Sequence, residues 1–121
     1  RLRGDGVVVS TATGSTGYAL SAGGPIVNPD FPGLICVPIA PHTIQARAFM
    51  TSPSDVVEVS ISKNRPSIPA IAVDGQFLAP EGEIERVEVS RAPFDALLLD
   101  YGPESFYASV SRVFYGVRRH D

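Results

Sequence analysis

The chain has 121 residues, 44% of them hydrophobic and 19% charged, and a formal net charge of −3. That balance suits one globular domain with its own core, and the acidic sign argues against nucleic acid, whose binders present a basic face. A single Cys excludes an intramolecular disulfide and fits a reducing compartment. No apolar run approaches the roughly 20 residues of a membrane span, and no secretory signal opens the chain, so the expectation is a soluble, cytoplasmic protein without a membrane partner. Because the sequence begins at Arg1 rather than Met, it is read as part of something longer. Its 11 Gly and 11 Pro predict many short elements joined by turns.

In chain order, Val7 to Val9 reads as a buried strand that feeds into small hydroxyl and glycine residues. A short helical stretch follows, capped by Ser15, and stops at Gly23-Gly24-Pro25. After the turn-rich Asn28 to Gly33, the run Leu34 to Ile39 predicts a strand in which Pro38 marks an edge or bulge, ended by Pro41-His42-Thr43. Val57, Val59 and Ile61 alternate with polar residues, the period of a strand with one wet face. Lys63-Asn64-Arg65-Pro66 is a turn, Ile68 to Val73 a return strand ending at Asp74-Gly75-Gln76, and Ile84 to Val89 and Ala96 to Leu99 are two further strands. Phe106, Val110, Val113, Phe114 and Val117 recur at helical steps, with Ser105 as cap and Arg112, Arg118 and Arg119 toward the far end. The sum is one mainly β domain over 1–121, an antiparallel β-sandwich with a short helix after the first strand and a closing C-terminal helix.

The opening segment carries the chemistry. Thr11, Thr13, Ser15 and Thr16 supply hydroxyls, Gly14 and Gly17 allow close approach to the backbone, and a cap by Ser15 leaves N–H groups near the helix start for a phosphate or sugar edge. No Lys follows Gly14 as a Walker loop requires, and neither the dinucleotide glycine pattern nor the Gly-x-Ser-x-Gly frame of a nucleophilic serine is present. On its own residues the segment reads equally as a polar-ligand loop or as an ordinary cap and turn.

The order of residues says more. Asp5-Gly6, Ser10-Thr11, Thr13-Gly14-Ser15-Thr16, Tyr18 and Leu20-Ser21-Ala22-Gly23-Gly24-Pro25 closely resemble the signature of the C-terminal domain of NAD kinases. Pro38-Ile39-Ala40-Pro41-His42-Thr43 and Val73-Asp74-Gly75-Gln76 are similar to two further stretches of that family, and Phe106 to Phe114 looks like its terminal helix. The resemblance implies an NAD-binding β-sandwich from an enzyme that phosphorylates the 2′-hydroxyl of the adenosine ribose of NAD, giving NADP. The donor is ATP or polyphosphate and a divalent metal (Mg) is required. Carried over by position, it implies dinucleotide contacts from Asp5, Thr11, Thr13, Gly14, Ser15, Thr16, Tyr18, Ser21, Asp74 and Gln76. It also implies a homo-oligomer.

Two departures are small: Gly17 stands where the family usually has Ala, and Ala48 where it has Pro. The larger one is the absence of the family's Gly-Gly-Asp-Gly loop and Asn-Glu/Asp pair, which belong to an N-terminal domain and carry the catalytic residues. Phosphoryl transfer needs both reactants and the metal held in line, so the chain alone is expected to be inactive, with no catalytic residue and no metal ligand of its own. Two other classes stay open: a non-catalytic nucleotide-binding or oligomerisation module, and, with a weaker match, a relative resembling lipid kinases.

The remaining residues have plainer readings. His42 and His120 lie far apart in sequence without Cys or carboxylate neighbours at zinc-ligand spacing, and His42 reads as a structural or pocket-wall residue. Glu81, Glu83 and Glu85 share a solvated face, Asp5 and Asp74-Gly75 fit ordinary turns, and Cys36 is a small buried hydrophobe. Arg112, Arg118, Arg119 and Lys63 are solvated charges.

Overall fold

The structure, a computed structural model, describes residues 3–64, 68–99, 102 and 104–116. Contacts divide the chain into two units, Arg1–Arg91 and Ala92–Asp121. The described strands pair antiparallel throughout, and the fold is mainly β with a short helix after the first strand and one closing helix, the class the sequence predicts.

In the first unit, β1 (Gly4–Thr11) pairs along its length with β2 (Leu34–Pro41), with Val8 opposite Val37 and Thr11 opposite Leu34. A two-residue strand, β3 (Phe49–Met50), adds to the far side of β2 at Cys36 and Ile35. The sheet order β1-β2-β3 makes β2 the central strand. Leu34, Ile35, Cys36 and Val37 are at most 5% exposed, and since neighbours in a strand face opposite ways, β2 is buried on both faces. Val7 to Val9, expected to be buried, are only half-buried, because β1 has a partner strand on one side alone.

Pro38 sits in the central strand without breaking it. The Thr51 amide donates to the Leu34 carbonyl (2.8 Å) on the β3 side, so by alternation the nitrogen of Pro38 also faces that side, where β3 no longer reaches. The missing donor is therefore at a locally open edge, as expected.

The connection from β1 to β2 supplies most of the core. A 3₁₀ turn (Thr13–Thr16) and α1 (Tyr18–Ser21) fold back so that Ala12, Ala19 and Val27 pack with Ile35 and Val37, with Val8, Ala22, Phe31 and Ala48 around them. α1 ends in a Schellman motif: Gly23 adopts φ +96, its N–H donates to Leu20 O (2.9 Å), and Gly24 N–H donates to Ala19 O (2.8 Å). Gly24 has no room for a side chain, since a Cβ there would lie 2.7 Å from Val37 Cγ2.

β4 (Val56–Ser60) pairs with β7 (Arg86–Ser90), with Val57 opposite Val89 and Val59 opposite Val87. The strand expected over Ile84 to Val89 is thus present, shifted toward its C-terminus. The return strand expected over Ile68 to Val73 is not: only β5 (Ala72–Val73) forms, paired with β6 (Gln76–Phe77). Asp74 (φ 48) and Gly75 (φ 80) make the two-residue turn with positive φ at both positions that closes tight hairpins. Pro69 lacks an amide donor, and Ile68 to Ala70 stay out of the ladder.

In the second unit, residues 96–99 form no strand, correcting that expectation: apolar composition makes a strand only where another supplies hydrogen bonds, and among the described residues none pairs with them. α2 (Phe106–Phe114) has the predicted cap, Ser105 Oγ accepting from Ala108 N–H at 3.2 Å. Of its predicted apolar face, Phe106 and Val110 are half-buried, whereas Val113 and Phe114 are exposed. Arg112 grips Glu104 through Nε (3.0 Å) and Nη2 (3.1 Å), which pushes the guanidinium further into its charged form. Arg65, Pro66, Val117, Arg118, Arg119 and His120 lie outside the described residues.

Candidate functional site

Residues 11–21 turn sharply off the end of β1, and their burial sorts them by helical spacing. Ala12, Ser15 and Ala19 are 4%, 0% and 1% exposed, whereas Thr11, Thr13, Gly14, Gly17, Tyr18 and Ser21 are exposed and Thr16 is intermediate. One face is anchored in the core and the other presents hydroxyls, glycine backbone and one aromatic ring. Tyr18 is 66% exposed, well placed to offer a ring face and a phenol to a flat polar ligand.

Hydrogen bonds revise how the loop works. Ser15 was expected to cap the helix, but neither the 3₁₀ turn nor α1 has a side-chain cap; their capping positions are Ala12 and Gly17. Ser15 instead points inward, and its Oγ accepts the Val27 N–H at 3.1 Å. The loop amides expected for a ligand are largely engaged: Gly14 N–H donates to Thr11 Oγ1 (3.3 Å), Ser15 N–H to Ala12 O (3.1 Å) and Gly17 N–H to Gly14 O (3.1 Å). The outward hydroxyls of Thr13 and Thr16 are therefore better suited to a ligand than the backbone.

The other sequence-predicted residues lie apart from this loop. Asp5 is near the opposite end of β1, six residues from Thr11, or roughly 20 Å at strand rise. There it meets a residue that sequence reasoning gave no ligand role: His42 Nε2 is 3.9 Å from Asp5 Oδ1, and the His42 N–H donates to Arg3 O (2.8 Å). Both side chains are exposed and the separation is too long for a hydrogen bond, so the pair adds little stability. Ala40, just before Pro41 at this end of the sheet, takes φ 43, a conformation uncommon for a residue with a Cβ. Asp74 and Gln76 sit on the β5–β6 hairpin, Asp74 within the turn itself.

An open groove does exist, but on the β4–β7 ladder, among Glu58, Ser60, Lys63, Glu83, Arg86 and Glu88. It contains none of the residues of the loop after β1, nor Asp5, Asp74 or Gln76. Glu58 and Glu88 face each other across the ladder and Arg86 bridges them at 4.0 and 3.3 Å, while Glu81, Glu83 and Glu85 are exposed as expected. That is a solvated charge network.

A strand, a Ser/Thr/Gly loop with one buried and one polar face, and a Gly-Gly helix stop together form a polar loop built on an antiparallel β scaffold. Comparison with known proteins makes this specific. Residues 1–100 match the family model of the ATP-NAD kinase C-terminal domain. An NAD kinase from Methanospirillum hungatei is 37% identical over 112 residues, covering 93% of this chain and 40% of that protein. One from Acetivibrio thermocellus is 47% identical over 73 residues, covering 60% of this chain and 25% of that protein. Among solved structures, yeast NADH kinase complexed with NADH superposes with TM-score 0.66 at 33% identity, covering 76% of this chain and 26% of that one. An NAD kinase from Archaeoglobus fulgidus in complex with ATP gives 0.64 at 34%, covering 78% and 35%. The chain belongs to the ATP-NAD kinase C-terminal domain family, and it spans at most 40% of the length of these relatives.

Proposed function

We propose that this chain is the NAD-binding portion of an NAD kinase, which transfers a phosphoryl group from ATP or polyphosphate to the 2′-hydroxyl of the adenosine ribose of NAD. The observation that carries this is the match over residues 1–100 to the kinase C-terminal family, joined to a loop whose outward face is all hydroxyl, glycine and tyrosine. Thr13, Thr16 and Ser21 donate and accept hydrogen bonds at the dinucleotide's sugar and phosphate oxygens, and Tyr18 lies against a planar portion of it. Asp5, as an acceptor-only carboxylate, suits a sugar hydroxyl or an amide, and Asp74 and Gln76 add polar contacts from their hairpin.

The divalent metal is a different matter. Among the described residues no group of three or more His, Cys, Asp or Glu side chains converges, so these side chains do not fit a metal of their own. The general base and metal-holding groups belong to the N-terminal kinase domain, and the isolated chain is inactive. We place the protein in the cytoplasm as a homo-oligomer; among the described residues no helix is long and apolar enough to cross a membrane.

Calorimetric titration of the chain with NAD and NADP, repeated on Tyr18→Ala, tests the reading. Saturable binding that the variant weakens by roughly tenfold, the order of a lost aromatic contact, is expected, with no NADP formed from NAD and ATP by the chain alone. Binding that ignores Tyr18 counts against the loop as the dinucleotide site.

A further inference from the structure

Among the described residues Ser15 is the one polar side chain that is buried, 0% exposed, and its hydroxyl is engaged by the Val27 amide twelve residues on. Its neighbours on the same inward face are two alanines, Ala12 and Ala19, which have no polar group to offer. Val27 belongs to the segment that leaves α1 after Gly23 and Gly24, and it packs in the core with Ile35 and Val37. The 3.1 Å bond therefore ties the middle of the hydroxyl loop to a point held by the sheet. The loop's bonds from Gly14 to Thr11, Ser15 to Ala12 and Gly17 to Gly14 are local and fix its curl, not its orientation on the sheet.

We infer that Ser15 is a positioning residue, not a ligand contact: its hydroxyl pins the loop to Val27 so that Thr13, Thr16 and Tyr18 stand outward in fixed register. The inference deepens the dinucleotide reading and rests on it. It also separates the loop's four hydroxyls into those that build and those that present. Ser15 builds, as does Thr11 through the Gly14 amide, while Thr13 and Thr16 present.

The test compares wild type, Ser15→Ala and Ser15→Cys in two measurements: NAD affinity by calorimetry, and hydrogen exchange of the Val27 amide in the ligand-free protein. The Cys variant keeps the side chain's approximate size with a much weaker acceptor, which covers the case in which the Ala variant fails to fold. Expected is faster Val27 exchange in the free protein by at least about tenfold, with NAD affinity lowered about tenfold in the same variants, the scale of one lost buried hydrogen bond. Lowered affinity with unchanged Val27 exchange would make Ser15 a direct ligand contact and overturn the inference. Faster exchange with unchanged affinity overturns it too, leaving a purely structural bond. Wild type that fails to bind NAD at all removes the dinucleotide reading itself, an outcome distinct from either because it precedes any comparison of variants.

Discussion

Residues 12–37 and residues 68–99 have similar apolar character and opposite fates. The first stretch holds every buried hydrophobic of the described residues, from Ala12 to Val37. In the second, Ile68, Phe77, Phe94, Leu97, Leu98 and Leu99 are between 74% and 93% exposed. The difference is one of available partners. The first stretch folds back on β1 through a turn, a short helix and a Schellman stop, so each apolar side chain meets another within a few dozen residues of chain. The second stretch forms one two-residue-strand hairpin and, apart from Arg86–Ser90, which pairs with β4, runs without a ladder partner among the described residues. Apolar sequence that finds no local partner stays on the surface, and exposed apolar surface of this kind is characteristic of interaction sites.

That contrast breaks or survives on a pair of truncations. Ile35→Ala removes a fully buried side chain from the core and is expected to cost about 2–5 kcal/mol of folding stability. Leu98→Ala, at 74% exposure, is expected to change stability by no more than about 0.5 kcal/mol. Urea unfolding of both variants measures it. Equal destabilisation would mean that residues 96–99 are buried in solution by association, and the Leu98 effect would then grow with protein concentration.

A smaller effect sharpens the hairpin side of the comparison. Gly75 takes φ +80, and a Cβ there meets nothing within 4 Å, so the whole penalty of Gly75→Ala is conformational. It is expected to cost about 1–2 kcal/mol locally. If the β5–β6 hairpin opens independently of the core, the penalty appears in amide exchange of Ala72 to Phe77 and is largely absent from global unfolding. A full-size loss in the urea curve would instead make this hairpin part of the cooperative core.

How much of this could be read beforehand follows the same divide. β2, the strands β4 and β7 though not their pairing, the short helix with its Gly-Gly stop and the capped α2 were legible, because each is fixed by local pattern: apolar runs, period-two alternation, a glycine pair at the helix stop, a capping serine. The strands expected over Ile68 to Val73 and Ala96 to Leu99 were misread because propensity identifies residues that fit a strand without showing whether a partner exists. At the site, the loop's hydroxyl content and its family likeness were plain in the sequence. Its inward and outward sides were not: the i, i+3, i+7 spacing of Ala12, Ser15 and Ala19 was present as a signal, but Ser at a helix start invites a cap. Only the burial and the bond to Val27 show that the side chain turns the other way. Nor does any local pattern announce that His42 stands beside Asp5, since that juxtaposition depends on the β1–β2 register.

The smallest expected effect lies within the core itself. Cys36 is fully buried opposite Val9, and burial pushes its thiol above its ordinary value. The folded state therefore holds the thiol proton more tightly than the unfolded chain does. Its contribution is fully present below the unfolded value, roughly pH 8.5, and is lost as pH rises through the folded value, because the unfolded chain ionises first. Cys36→Ala removes that dependence along with some packing. The stability difference between wild type and variant, from urea curves at several pH values, should be constant up to about pH 8 and then narrow as the solution becomes more alkaline. In parallel, alkylation of Cys36 in the native protein should be slow at neutral pH and accelerate with urea, since the thiolate is reached only after β2 opens. A difference that stays constant to pH 10, or brisk native alkylation, would mean that the sheet at Cys36 is open to water, and the contrast between the two regions would lose its firmest point.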